Sequence, residues 1–173
     1  MKKIGFILIL FIITTAFTSK RVQALIQKEV KSVFNIESYT TESITVLSEI
    51  NAILPIHIED NNFVKISHNH QLKGFYYVGK AYGKVDYFDF IVIFNQDLIV
   101  SKVKILVYRE EHGAEVGSKR WLKQFSGKST EKKLVFQKDI AGISGATLSA
   151  KSLTKQVNKV LKTVSILHQK QVI

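Results

Sequence analysis

A short segment of hydroxyl-bearing and small residues precedes a predicted helix in the C-terminal part of the chain. Residues 144–149 read Ser-Gly-Ala-Thr-Leu-Ser. The first N–H groups of a helix lack intrahelical partners, and with the positive end of the helix dipole they stabilise an anion. Gly145 and Ala146 have no bulk that would keep a phosphate from the backbone. The segment therefore suits a phosphate, although plain N-capping by Ser or Thr is the commoner use of such a segment.

Apolar residues at helical spacing predict two helices around this segment. A short helix is predicted over residues 118–125, with Ser118 as its N-cap. A longer helix is predicted from Ala150 onward, with four lysines opposite its apolar stripe. The two apolar faces consist of Trp121, Leu122, Phe125, Leu153, Val157, Val160, Leu161, Val164 and Leu167. Aromatic residues at this spacing are more often core than cofactor contacts, so Trp121 and Phe125 are assigned to the core.

Three aromatic and β-branched runs predict an antiparallel meander. The runs are Phe75–Tyr82, Asp86–Phe94 and Leu98–Tyr108, and short turns separate them. The middle run is apolar on both faces and is predicted to be a central strand. In the third run, alternation places the odd-numbered residues 99–107 on the face that packs against the core.

The part of the chain before the meander has a weaker pattern. Residues 24–34 carry apolar side chains at helical spacing and predict a first amphipathic helix. Residues 53–58 and 63–66 are predicted to be short edge strands, since Pro55 is confined to an edge or a strand start. A chain of 173 residues with 46% hydrophobic content supports one compact core. The predicted fold is α+β, an antiparallel sheet packed with helices in a single domain.

The N-terminus has the form of an export signal. Two lysines precede an uncharged, mostly apolar run over residues 4–18, and two basic residues follow shortly after it. The run is shorter than the roughly 20 apolar residues of a spanning helix. We assign residues 1–24 to a signal peptide or short membrane anchor, and residues 25–173 to a domain outside the cytoplasm, periplasmic or on the outer face of the membrane. The chain contains no Cys, which excludes disulfides, thiolate metal sites and a thioether lipid anchor.

The chain is strongly basic, with a net charge of +11. Residues 1–24 contain four basic and no acidic residues, so the remainder has 21 basic and 14 acidic residues and a net charge of +7. Such an excess of positive charge is typical of proteins that bind nucleic acid, an anionic membrane surface or an anionic ligand. The export signal and the lack of a block of like charges argue against nucleic acid. The preferred interpretation is that scattered lysines keep the protein soluble.

Two blocks of the chain, taken in order, resemble one protein family. Residues 144–149 are similar to S-G-A-T-x-[ST], the signature of the FMN-binding domain in subunits of sodium-translocating quinone reductase and Rnf-type complexes. Residues 108–117 and 120–128 are similar to the family's strand, its glycine-bearing loop and its [FW]-x-x-[QK]-F-x-G-K helix. The resemblance covers about residues 70–167, and two blocks in order are far more specific than one.

The resemblance implies a flavoprotein that carries FMN as a phosphoester on Thr147, attached by a flavin transferase that takes FMN from FAD. The cofactor-binding residues that it implies are Thr147, Ser144, Gly145, Ala146, Glu115 and Gly117. The implied role is electron transfer through FMN with a membrane-associated redox partner, near a membrane surface and without a substrate-transforming residue. The alternative is an envelope binding or structural module of the same fold that lacks flavin.

The chain departs from the family pattern at two places. Many members have an acidic residue three positions before the signature Ser, where this chain has Ala141 and, two residues further back, Asp139. The subunits of the redox complexes have an E-T-P-G-L-G-like loop, where residues 115–117 here read Glu-Val-Gly. The subunits of those complexes are also usually longer and have a full membrane anchor, so the chain resembles a stand-alone member of the family.

Three other groups of polar residues are weaker candidates for chemistry. His68 and His70 have strand spacing for a metal, but no third ligand is near in sequence, and a solvated loop is the preferred interpretation. Asp86 and Asp89 are three residues apart on a predicted strand and therefore point to opposite faces, so both are expected to be turn or surface groups. His112 has no identifiable Ser or Asp partner.

Overall fold

The structure is a computed structural model, and it describes residues 20–59 and 61–173. Most of the predicted leader, residues 1–19, lies outside the described residues. Within the described part, five strands form one antiparallel sheet in chain order: β1 (Thr40–Ser43), β2 (Phe63–His68), β3 (Gln71–Tyr82), β4 (Tyr87–Asn95) and β5 (Val100–Val107). The predicted three-strand meander is confirmed as β3 to β5, and two further strands extend it.

The two predicted edge strands differ from the structure. Residues 63–66 do form part of β2, but β2 is an inner strand because β1, which was not predicted, pairs with it. Residues 53–58 are not a strand. They follow α2 (Ser48–Ala52), and the Asn51 amide bonds both the N–H and the carbonyl of Ile58 at 2.8 Å. These are the backbone groups that a strand would present to a neighbour.

The sheet is buried on both faces, and β4 carries residues of both cores. Phe90 and Val92 face one apolar cluster, whereas Ile91 and Ile93 face the other. This confirms that the middle run is an interior strand. The regular alternation predicted for β5 is wrong, because irregularities in its pairing with β4 turn Val100 toward the same core as residues 103 and 105.

Helices cover the two faces of the sheet. A helix over residues 20–34, α1, covers one face with Ile26 and Val30. On the opposite face lie α3 (Lys119–Leu122), which continues as a 3-10 turn to Phe125, and α4 (Thr147–Gln169). Ser118 accepts a hydrogen bond from the Trp121 N–H, as its predicted N-cap role requires. The apolar residues predicted for both helices are buried, as expected, and the α+β fold class is confirmed.

Length and hydropathy of the helices bear on the membrane question. Over residues 20–59 and 61–173, we find no helix with both the length and the apolar character that crossing a bilayer requires.

Candidate functional site

The hydroxyl-rich segment forms the turn that leads into α4. Thr147 is the first residue of the helix, and Ala146 occupies the N-cap position, where no side chain accepts a hydrogen bond. The Thr147 hydroxyl donates backward to the Ile143 carbonyl at 2.9 Å. Among the hydrogen bonds of the described residues, none satisfies the N–H groups of residues 147–149. The N-capping alternative is therefore wrong, and three donors at the positive end of a long helix stay available.

The same turn leaves space next to these donors. Gly145 has a φ of +82°, and a Cβ placed on it would have no heavy atom within 4 Å. Ser144 and Thr147 are exposed, whereas Ala146 is 4% exposed and fixes the turn to the protein. An exposed hydroxyl, free N–H groups and open space are what the phosphate end of a cofactor needs. We call residues 144–147 the phosphate turn.

The backbone of Gly145 gives a test of this geometry. We expect Gly145→Ala to destabilise the fold by about 1–2 kcal/mol, because a left-handed φ is unfavourable for a residue with a Cβ. Gly145→Asn should recover much of that loss, since Asn tolerates this conformation. Urea unfolding of the three proteins measures both effects. Equal stability of the Ala variant and the wild type would contradict the turn described here.

The glycine-bearing loop after β5 lies against the start of α4. Tyr108 donates its hydroxyl proton to the His112 carbonyl at 2.8 Å, and its hydroxyl lies 3.2 Å from the Ser149 hydroxyl. Gly113 has a φ of +84°, and a Cβ on it would lie 2.7 Å from the Tyr108 hydroxyl oxygen and 3.7 Å from the Ala146 Cβ. A side chain at position 113 would therefore collide with the Tyr108 hydroxyl, through which the loop contacts Ser149 of α4.

Glu115 and Gly117 belong to the 3-10 turn Ala114–Gly117, which begins directly after Gly113. Glu115 is exposed and Gly117 is half-buried. A Cβ on Gly117 would make only an ordinary contact, at 3.9 Å, with Ile105. The described protein therefore has no steric need for glycine at this position, and the two residues stay predictions as flavin contacts.

An ion pair between the exposed Arg109 and the buried Asp89 holds the first residues of this loop to the sheet. Asp89 is 8% exposed, and its carboxylate binds the Arg109 guanidinium, which also donates to the Tyr87 carbonyl at 2.9 Å. The expectation that Asp89 is a surface group is wrong, because β4 is an inner strand and the Arg109 side chain lies against the Asp89 carboxylate. Asp86 is exposed in the β3–β4 turn, as expected.

The next residue of the loop, Glu110, is tied to the same turn. Its Oε1 accepts hydrogen bonds from the N–H groups of Asp86 at 3.0 Å and Val85 at 2.9 Å, and these bonds hold the pKa of the carboxyl below its ordinary value. Arg109 and Glu110 thus fix one end of the loop, and Tyr108 and Gly113 fix it against α4.

The segment before the phosphate turn is held by the short helix. The Trp121 indole donates to the Ala141 carbonyl at 2.7 Å, and the Ala141 N–H donates to the Gln124 Oε1 at 2.8 Å. These contacts give the W-x-x-Q spacing a physical role, because the two side chains are one helical turn apart and bind both backbone polar groups of Ala141. Trp121 and Phe125 are buried, so their assignment to the core is confirmed.

Asp139, the acidic residue nearest to the departure at Ala141, has partners within its own turn. Its Oδ2 accepts from the Val135 N–H at 2.8 Å, and Lys132 lies 3.4 Å from its Oδ1. The bond from Val135, aided by Lys132 and opposed by partial burial, holds the pKa of the Asp139 carboxyl below its ordinary value. Asp139 is therefore a charged cap of its turn.

His68 and His70, the two histidines considered for a metal site, have their contacts in another part of the protein. The His68 Nδ1 lies 2.7 Å from the Ser38 carbonyl oxygen, and His70 is in the β2–β3 turn. In the part of the chain that the structure describes, no three His, Asp or Glu side chains are grouped so that they could hold a metal ion.

An α+β fold thus presents free N–H groups, an exposed hydroxyl and open space together at the start of a long helix, as a phosphate-bearing cofactor requires. Residues 83–162 match the family model of the FMN-binding domain, and this range includes both blocks on which the resemblance rests. This part of the chain is an FMN-binding domain, so the predicted family is confirmed and FMN is the cofactor. No curated protein matches the chain.

Sequence reasoning missed the residues that assemble the site. Tyr108 and Ser149 were not assigned a role, and neither were the polar groups of Trp121 and Gln124. Tyr108 and Ser149 are 41 positions apart, and no local pattern signals their contact. For Gln124, the W-x-x-Q spacing was a signal that both side chains share one face, but the partner at Ala141 depends on the fold.

Proposed function

We propose that the protein is an exported electron carrier with FMN attached to Thr147 as a phosphoester. The observation that carries this proposal is the exposed hydroxyl of Thr147 on the first residue of α4, next to three N–H groups without partners among the described residues. Bound FMN supplies the redox chemistry by accepting and releasing one or two electrons. The chain itself orients the phosphate with the turn 144–147 and the start of α4.

Attachment is a group transfer from FAD, carried out by a flavin transferase. A bond forms between the Thr147 Oγ1 and the phosphorus of the FMN half, the pyrophosphate bond of FAD breaks, and AMP leaves with the bridging oxygen. The hydroxyl proton is released to the transferase or solvent. In the free protein this proton is donated to the Ile143 carbonyl, which loses its donor once the ester forms. The remaining negative charge of the phosphodiester faces the positive end of the α4 dipole.

The intact mass of the protein tests attachment directly. After co-expression with a flavin transferase, it should exceed the mass of the polypeptide by that of FMN less one water. A protein that is yellow when native but has the bare polypeptide mass would support FMN binding without the covalent bond.

The leader is the basis for proposing export, and the contacts of α1 bear on whether the leader is cleaved. Residues 20–24, assigned to the leader, form the first described turn of α1, and Val22 packs with the cluster on that face of the sheet. An uncleaved leader keeps this contact, whereas cleavage after Ala24 removes it. This supports the membrane anchor over the cleaved signal peptide. The transferase and the redox partners then also face outward.

A reporter fusion tests export. A reporter that is active only outside the cytoplasm, fused after Ile173, should be active with the native leader and silent when residues 1–19 are deleted. The deletion ends at residue 19 so that both fusions retain the whole of α1. A cytoplasmic reporter at the same point should show the reverse. Activity of the cytoplasmic reporter in the full-length fusion would overturn the export proposal.

A further inference from the structure

The outer face of α4 forms one side of a large basic groove. The groove has a volume of about 1020 Å³, and the loop 130–136 forms its other side. Six lysines line it: Lys132, Lys133, Lys151, Lys155, Lys159 and Lys162. Among the described residues that line it, Glu131 alone is acidic. The expectation that lysines are scattered over the surface is therefore wrong for this face of the protein.

The lysines of α4 have no acidic partners within the described structure. The helix has no Asp or Glu over its 23 residues, and none of its four lysines lies within 4.0 Å of a carboxylate in the described part of the chain. Lys151, Lys155 and Lys159 follow one another at a spacing of four residues, which brings like charges together and destabilises a helix. An arrangement that is unfavourable in the free protein becomes favourable when an anionic partner fills the groove.

The groove begins next to the proposed attachment site. Lys151 follows Thr147 by four residues and lies on the same side of the helix, one turn further on. From Lys151 to Lys162 the stripe extends for about 16 Å along the helix axis. An occupant of the groove therefore reaches the end of α4 at which the flavin phosphate is expected.

The shape of the groove favours a protein over a membrane as its occupant. The groove is concave, and Pro55, Phe136 and Leu161 add apolar surface to its charged lining. A bilayer surface is flat and would touch a protruding face. In addition, α4 and α1 lie on opposite faces of the sheet, so the groove and the chain that leads to the leader are on opposite sides of the domain. A second copy of this basic chain would be repelled.

From these observations we propose that the groove is the docking site for an acidic, protruding segment of the protein that exchanges electrons with the flavin. The identity of the partner as an electron-exchange protein rests on the proposed function, but binding of an acidic segment to the groove requires no flavin. Carboxylates of the partner pair with the lysines, and apolar side chains of the same segment cover Pro55, Phe136 and Leu161. Docking here places the partner beside the start of α4, the helix end to which the proposed phosphoester on Thr147 ties the flavin.

Binding of a fluorescein-labelled poly-glutamate peptide, followed by fluorescence anisotropy, tests the docking site. The titration uses the full chain at an ionic strength of about 0.01 M, where screening is weak. The groove variant changes Lys151, Lys155, Lys159 and Lys162 to Gln. The control variant changes Lys28, Lys31, Lys73 and Lys104 to Gln and has the same net charge. Circular dichroism checks that both variants fold.

We expect the groove variant to bind the peptide at least about tenfold more weakly than the wild type, and the control to stay within about twofold. Equal weakening in both variants would show that only net charge matters and would overturn the proposal. The proposal would also be overturned if the wild type did not bind the peptide and instead bound phosphatidylglycerol vesicles or self-associated in sedimentation.

One further variant and one further measurement keep this result separate from the proposed function. Thr147→Ala should bind the peptide as the wild type does, because it retains the groove. Flavin loading of the groove variant reports on Thr147 and does not depend on peptide binding. Normal loading together with unchanged peptide affinity in the groove variant would overturn the docking site and leave the electron-carrier proposal intact.

Discussion

Replacing Thr147 by Ala is expected to abolish covalent flavin while the domain stays folded. The substitution removes the oxygen that would form the phosphoester, and no neighbouring side chain can replace it at the same position. The hydrogen bond from Thr147 to the Ile143 carbonyl is also lost, but it lies at an exposed helix start and contributes about 1 kcal/mol or less. Flavin fluorescence in a denaturing gel measures the attachment, and urea unfolding measures the stability.

Two matched variants make the result specific to this oxygen. Thr147→Ser keeps a hydroxyl at the same place and should still be loaded. Ser144→Ala removes an exposed hydroxyl from the same turn, three residues earlier, and should also be loaded. A flavin band that survives denaturation in Thr147→Ala would rule out Thr147 as the attachment site.

Replacing Trp121 by Ala should give the largest loss of stability of the changes considered, about 3–5 kcal/mol. The Trp121 side chain is 6% exposed and packs edge-on against Phe125 with ring centroids 5.4 Å apart. Its removal leaves a cavity beneath the site and also deprives the Ala141 carbonyl of its donor. The midpoint of urea unfolding at an unchanged slope measures the loss.

Trp121→Phe separates the two contributions. Phe retains most of the buried apolar surface but has no N–H for the Ala141 carbonyl, so a loss of about 1–3 kcal/mol is expected. Because this carbonyl precedes the phosphate turn, faster amide hydrogen exchange over residues 141–146 should accompany the change. Unaltered exchange there in Trp121→Phe would show that the indole does not hold the segment.

The features that local patterns dictate could be predicted from the sequence. Helical spacing gave the stripe of α4, and the runs of β-branched and aromatic residues gave β3 to β5. The blocks 108–128 and 144–149 also indicated the family by resemblance, and the second of them has the small residues, the hydroxyl and the helix start that a phosphate turn needs in one continuous stretch. Each of these properties is carried by residues that are neighbours along the chain.

The remaining features depended on contacts between distant residues. β1 consists of four exposed polar residues, so its own sequence has no pattern that predicts a strand. It forms because its backbone pairs with the edge of β2. Asp89 looked like a surface group until Arg109 was placed over it. Likewise, the lysines of α4 were visible as the polar side of a helix, but only packing of the loop 130–136 beside them made a groove. Sequence determines which face of an element is polar, whereas the tertiary structure decides what that face meets.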